Sequence, residues 1–85
     1  MDRTELYDKF VDILAEQLNI QKESITETSL IAADLGADSL DTAEIAMKIN
    51  DALGYDLTDE DMKHIQTVGD VLDILQKNLK PEVRA

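Results

Sequence analysis

The sequence predicts an all-α fold, a small four-helix bundle with three main helices and one short helix. Three segments repeat apolar residues at intervals of three and four, the period of an amphipathic helix. Residues suited to capping stand at the start of each of these segments and of a short fourth one. No segment alternates apolar and polar residues as a half-buried strand would. A chain of 85 residues has room for one core and one domain.

The first helix is expected over residues 4–18, with Leu6, Phe10, Leu14 and Leu18 at a spacing of four. Asp2 and Glu5 resemble a capping box, and Asn19 is the expected end of the helix. Residues 19–37 lose this periodicity but keep five apolar residues, namely Ile20, Ile25, Leu30, Ile31 and Leu35. So long a loop with so many apolar side chains is expected to lie across the core.

The second helix is expected to begin at Asp38 or Ser39 and to end at Leu53, followed by Gly54 in a left-handed conformation. Its apolar residues form two faces. One face holds Ile45, Ala46, Ile49 and Leu53, and the other holds Leu40, Ala43 and Met47. Since a bundle helix needs one apolar face for the core, either this helix is buried unusually deeply or the second face is left for a partner.

A short helix and a last long helix complete the predicted bundle. Thr58 and Asp61 are expected to cap the short helix, which ends at His64 or Ile65.

Thr67, with Asp70 three residues later, is expected to cap the last helix. Its apolar residues repeat at three and four, namely Val68, Val71, Leu72, Leu75 and Leu79. Lys77 and Lys80 suit the negative end of the helix, and Pro81 stops it.

The composition narrows the classes of partner. The net charge is −11, with eight Lys and Arg against nineteen Asp and Glu. This charge argues against nucleic acid and anionic membranes, and it favours basic protein partners. Residues 34–61 hold nine of the acids and a single base, Lys48. The polar start of the chain has no signal-peptide pattern, and no apolar run is long enough to cross a bilayer, so we expect a cytoplasmic protein without membrane insertion.

No catalytic or metal site is predicted. A calcium-binding EF-hand loop requires glycine at its sixth position and glutamate at its twelfth. Counted from Asp56, those positions hold Asp61 and Thr67, so the pattern fails. His64 is the only histidine, and nothing in the sequence links it to a serine as a catalytic triad would require. Cysteine is absent, which excludes a thiolate nucleophile.

Ser39 is the candidate functional residue. It follows Asp38, which can cap the second helix and so free the Ser39 hydroxyl to point outward. Gly36 permits a tight turn just before it. A serine without a neighbouring base is a poor nucleophile, but it can accept a group delivered by another protein's active site.

The segment Asp34-Leu-Gly-Ala-Asp-Ser-Leu-Asp-Thr42 resembles the prosthetic-group attachment motif of the acyl carrier protein family. The resemblance extends to Leu14-Ala-Glu-Gln-Leu18, to the loop from Ile25 to Leu30, to residues 54–61 and to Thr67-Val-Gly-Asp-Val71. It covers nearly the whole chain. It therefore implies an acyl carrier domain over residues 1–80, with a frayed tail over residues 81–85.

By this resemblance, Ser39 would carry 4′-phosphopantetheine, transferred from coenzyme A by a phosphopantetheinyl transferase. The thiol of that arm would hold acyl groups as thioesters, on a monomer that is not itself an enzyme. Acyl-loading and chain-processing enzymes would approach through basic patches. The expected docking residues are Asp38, Leu40, Asp41, Glu44 and Met47. The expected lining of an acyl pocket is Ile45, Ala46, Ile49, Leu53 and Ile65.

Two departures from the family pattern bear on the pathway. Lys48, Asn50 and Ala52 stand where carriers of primary fatty acid synthesis have more acids, and Ala32-Ala33 replaces a bulkier, acidic pair. Lys48 is also placed to pair with Glu44 one turn earlier. We therefore expect a carrier for fatty acid or related specialised lipid synthesis. A carrier of aminoacyl or polyketide units, or an unmodified acidic interaction module, stays open.

Overall fold

The computed structural model describes residues 2–78 and has the predicted all-α architecture. Within that range the four α-helices are α1 (Arg3–Leu18), α2 (Ser39–Leu53), α3 (Asp59–Lys63) and α4 (Val68–Asn78). One turn of 3-10 helix, Lys22–Ser24, follows α1 and was not predicted. None of the helices in this range is long and apolar enough to span a membrane. Leu79, Lys80, Pro81 and the predicted tail lie outside the described residues.

The helix boundaries follow the capping residues. At α1, the Glu5 N–H donates to Asp2 Oδ1 at 2.9 Å, and Asn19 ends the helix with a left-handed φ of 56°. At α4, the Asp70 N–H donates to Thr67 Oγ1 at 3.1 Å while the Thr67 N–H donates to Asp70 Oδ2 at 3.0 Å. Gly54 ends α2 with a φ of 76°. These four predicted ends are confirmed.

The short helix α3 ends earlier than predicted. Thr58 and Asp61 form the expected capping box, but the helix stops at Lys63 instead of His64 or Ile65. The His64 N–H bonds to the carbonyl of Asp61 at 3.0 Å, three residues back, so the last turn tightens away from α-helical geometry.

The core is built mainly from α1 and α4, with one face of α2. The side chains that are almost fully buried are Leu6, Phe10, Leu14, Ile49, Val68, Val71, Leu72 and Leu75. The short helix α3 contributes no fully buried residue. Of the four helices described, α3 is therefore the one with the fewest buried residues.

The long loop between α1 and α2 lies across the core, as predicted. Ile25 and Ile31 are buried, whereas Leu30 is 37% exposed. The loop is also attached to the start of α4 through main-chain hydrogen bonds. The Ile31 N–H donates to the Gln66 carbonyl at 2.9 Å, and the Val68 N–H donates to the Ser29 carbonyl at 3.1 Å. These bonds satisfy polar main-chain groups that the core would otherwise leave unpaired.

Candidate functional site

Ser39 is exposed and is the first residue of α2. The capping role belongs to Asp38, whose Oδ1 accepts from the Asp41 N–H at 2.8 Å. Asp41 returns the contact, because its Oδ2 accepts from the Asp38 N–H at 3.3 Å. Asp38 and Asp41 therefore satisfy the helix end without the Ser39 hydroxyl, which is left accessible to another protein.

A compact turn precedes α2. Asp34 Oδ2 accepts from the Leu30 N–H at 2.8 Å, and the Gly36 N–H donates to the Ala32 carbonyl at 3.0 Å. Gly36 has a φ of 80°, where a side chain would be strained. A Cβ at Gly36 would meet no atom within 4 Å, so the requirement for glycine is one of backbone conformation. The structural role of Asp34 was not predicted from the sequence.

An apolar cavity of about 250 Å³ lies beside this turn and opens to solvent. Ile45, Ile49 and Ile65, three of the predicted pocket residues, line it. The other lining residues are Phe10, Leu30, Ile31, Ala32, Ala33, Thr42, Leu57, Met62, Gln66 and Val71. Thr42, one of these lining residues, is three residues after Ser39, so part of the lining lies within a helical turn of the serine.

Two predicted pocket residues, Ala46 and Leu53, do not line this cavity. Ala46 follows Ile45 directly and is therefore rotated about 100° around the helix from it. Leu53 is one turn beyond Ile49, at the end of α2, where it packs against the margin of the core. Since Phe10 and Val71 come from other helices, no pattern within α2 could have identified them as lining residues.

The second apolar face of α2 points to solvent. Leu40 is 71% exposed and Met47 is 67% exposed, and Ala43 is exposed as well. The alternative that α2 is buried on both faces is therefore wrong. Of the five residues predicted to dock a partner, Asp41 is half-buried and the others are exposed, namely Asp38, Leu40, Glu44 and Met47. We call these five the docking face, after the role that the sequence predicts for them.

Contacts with α1 border the docking face on one side. Gln17 Nε2 donates to Glu44 Oε1 at 2.9 Å. Lys48 pairs with Glu16 of α1, with 3.5 Å between Nζ and Oε1. The expected pair between Lys48 and Glu44 is therefore wrong, because packing brings an α1 carboxylate within reach of the ammonium group.

Two capping carboxylates have pKa values below their ordinary range. The Tyr55 hydroxyl donates to Asp61 Oδ2 at 2.7 Å, which lowers the pKa of Asp61 and raises that of Tyr55. The main-chain N–H groups of Thr67 and Gln66 donate to Asp70 and lower the pKa of its carboxyl group. Both carboxylates therefore stabilise the fold in their ionised form.

We expect the melting temperature to rise with salt and with mild acidification, because both weaken the repulsion within a net charge of −11. Below about pH 4 the trend should reverse. A carboxyl group whose pKa is lower in the folded state than in the unfolded state stabilises the fold at pH values above its unfolded-state pKa. That stabilisation is lost as the pH falls through its folded-state pKa. Calorimetry from pH 7 to pH 3, at low and high sodium chloride, measures the melting temperature on both sides of this reversal. Asp70→Asn should make the melting temperature fall less steeply below about pH 4. A melting temperature that does not change with salt would contradict the repulsion argument.

Comparisons with known proteins agree with the geometry of the site. A family model described as the phosphopantetheine attachment site matches residues 8–75. The chain is 45% identical over 78 residues to the acyl carrier protein of Syntrophobacter fumaroxidans, covering 92% of this chain and 96% of that one. It is 36% identical over 77 residues to the acyl carrier protein of Porphyromonas gingivalis, covering 91% and 99% respectively.

The structure also fits the covalent group that such a match implies. Ser39 offers an exposed hydroxyl with no capping role, and the lining of an apolar cavity comes within one turn of it at Thr42. The chain belongs to the acyl carrier protein family, whose members are carriers with 4′-phosphopantetheine as their covalent cofactor.

Proposed function

We propose that Ser39 carries the 4′-phosphopantetheine arm and that the chain serves fatty acid or related specialised lipid synthesis. The observation that carries this proposal is that the helix cap and the exposed hydroxyl at the start of α2 belong to different residues. Asp38 makes the capping hydrogen bond at 2.8 Å, and the adjacent Ser39 is exposed beside an apolar cavity. A phosphopantetheinyl transferase would supply the arm from coenzyme A, and the thiol of the arm would hold the acyl group as a thioester.

The residues around Ser39 have two tasks in this proposal. Asp38 and Asp41 hold the first turn of α2 rigid, so that the serine hydroxyl is presented at a fixed place. The docking face attracts the basic surface of the enzyme, because its carboxylates lie next to an exposed apolar strip. The chain itself holds and presents the cargo, and the partner enzymes carry out the chemistry.

The cavity favours a fatty acyl cargo over an aminoacyl one. Its walls are mainly aliphatic, and its volume of about 250 Å³ exceeds the roughly 150 Å³ of an apolar cavity that holds benzene. A charged amino group would lose its hydration there without finding an ionic partner. The domain over residues 1–80, the monomeric state and the cytoplasmic setting are part of the same proposal. The strong net negative charge supports the monomer, since copies of the chain repel one another.

The purified protein should gain the mass of one phosphopantetheine group when it is incubated with coenzyme A, magnesium and a phosphopantetheinyl transferase. Proteolysis followed by mass spectrometry should locate that mass on the peptide that contains Ser39. The wild-type chain without transferase is the control. No mass gain with several transferases would leave an unmodified interaction module as the better explanation.

A further inference from the structure

The carboxamide of Gln17, near the end of α1, bridges two carboxylates of the docking face. Its Nε2 donates to Glu44 Oε1 at 2.9 Å and to Asp41 Oδ1 at 3.3 Å. The other oxygen of Asp41 accepts from the Asp38 N–H. Gln17 thus connects the capping box of α2 to the next acid along the same side of the helix.

This bridge holds like charges together without cancelling them. Asp41 and Glu44 are three residues apart and are neighbours on the helix surface, where like charges repel. An amide NH₂ has two protons, so it can donate to both carboxylates and remain neutral. A lysine or arginine at position 17 would instead neutralise part of the charge.

The base that could have cancelled this charge is held elsewhere. Lys48 is the single base of residues 34–61, and it pairs with Glu16 on α1. Glu44 is thus bonded to the neutral Gln17 amide and not to this base, one turn from the exposed Leu40. Two carboxylates fixed in this way are suited to receive a guanidinium or ammonium group from a partner.

We propose that Gln17 is a positioning residue of the docking face: it arranges Asp41 and Glu44 in advance to receive a cationic side chain of a partner enzyme. The inference rests on the proposed function, because it assigns those two acids to docking. Holding their side chains in place before the encounter lowers the conformational entropy lost on binding. The partner is therefore a basic protein surface, and the phosphopantetheinyl transferase is the one that can be tested directly.

Gln17→Met keeps the size and helix propensity of the side chain but removes both donors. We expect it to raise the KM of a phosphopantetheinyl transferase for the carrier by roughly three- to tenfold and to leave kcat unchanged, because the docking step alone is weakened. Gln21→Met is the matched control, since Gln21 is exposed in the loop and its side chain makes no capping bond. In a Glu44→Gln background, Gln17→Met should have a smaller effect, as expected if it acts through Glu44.

Gln17→Lys provides a second, independent test. The new ammonium group would lie between the two carboxylates. It should therefore slow the association of the transferase with the carrier and make that rate less dependent on salt, without lowering the melting temperature of the carrier. Gln21→Lys adds the same charge away from the docking face and should change the association rate less. Equal KM values for the two methionine variants, or equal rates for the two lysine variants, would overturn the role of Gln17. A wild-type chain that no transferase modifies would instead overturn the proposed function.

Discussion

Ser39→Ala is expected to abolish attachment of phosphopantetheine completely while leaving the fold nearly unchanged. The substitution removes the one atom to which the arm would bond. The folded state loses little, because Ser39 is exposed and Asp38 caps the helix. Alanine also has the highest helix propensity. Intact-mass spectrometry after incubation with coenzyme A and transferase measures the loss, and a thermal melt of the same sample measures the fold.

Asp38→Ala is the matched variant and should behave in the opposite way. Loss of an N-cap side chain costs about 1 kcal/mol of stability, and the hydroxyl of Ser39 is still present. The Asp38→Ala variant should therefore melt at a lower temperature than the wild type but still accept the phosphopantetheine arm. The rate should be reduced, because an acid of the docking face is missing. A mass gain that persists in Ser39→Ala would place the acceptor elsewhere. Ser29 is a poor substitute, because it is buried and its Oγ accepts from the Thr26 N–H.

The features that the sequence predicted well are local ones. A cap needs an acceptor and an N–H three residues away, so Asp38, Thr58 and Thr67 could be identified as N-terminal residues without a tertiary structure. The exposed face of α2 was predicted as one of two alternatives, since helical periodicity separates Leu40 and Met47 from Ile45 and Ile49. Whether the Leu40 and Met47 face would also be covered depended on the neighbouring helices.

Two of the missed features depend on contacts between distant segments. Lys48 has an acid one turn earlier in its own helix, yet it pairs with Glu16, which is 32 residues away. Gln17 has no sequence signal for its contact with Glu44, because that contact exists only once α1 packs beside α2. A weak pair within one helix, worth about 0.2–0.5 kcal/mol, is easily replaced by a tertiary neighbour of similar strength.

The thermal stability of the loaded protein is expected to rise with the length of the acyl chain. An apolar cavity of roughly 150 Å³ holds the six carbon atoms of benzene. At the same ratio, the cavity of about 250 Å³ has room for roughly ten carbon atoms. Each buried methylene contributes about 0.8 kcal/mol, so lengthening a chain by four carbons gives at most roughly 3 kcal/mol. In a domain of this size, 1 kcal/mol shifts the melting temperature by about 4–8 °C. Calorimetry on a series from butanoyl to decanoyl thioesters measures this gradient.

Ile49→Phe should abolish that gradient. Ile49 is fully buried and lines the cavity, so a phenyl ring there would occupy the space that the acyl chain needs. Leu53→Phe is the matched control, because Leu53 is on the same helix one turn later and does not line the cavity. Either variant can lower the melting temperature of the unloaded protein through overpacking. The slope of melting temperature against chain length is therefore the quantity to compare, and it should vanish in Ile49→Phe and survive in Leu53→Phe. The reverse pattern would place the acyl chain against the end of α2 rather than in this cavity.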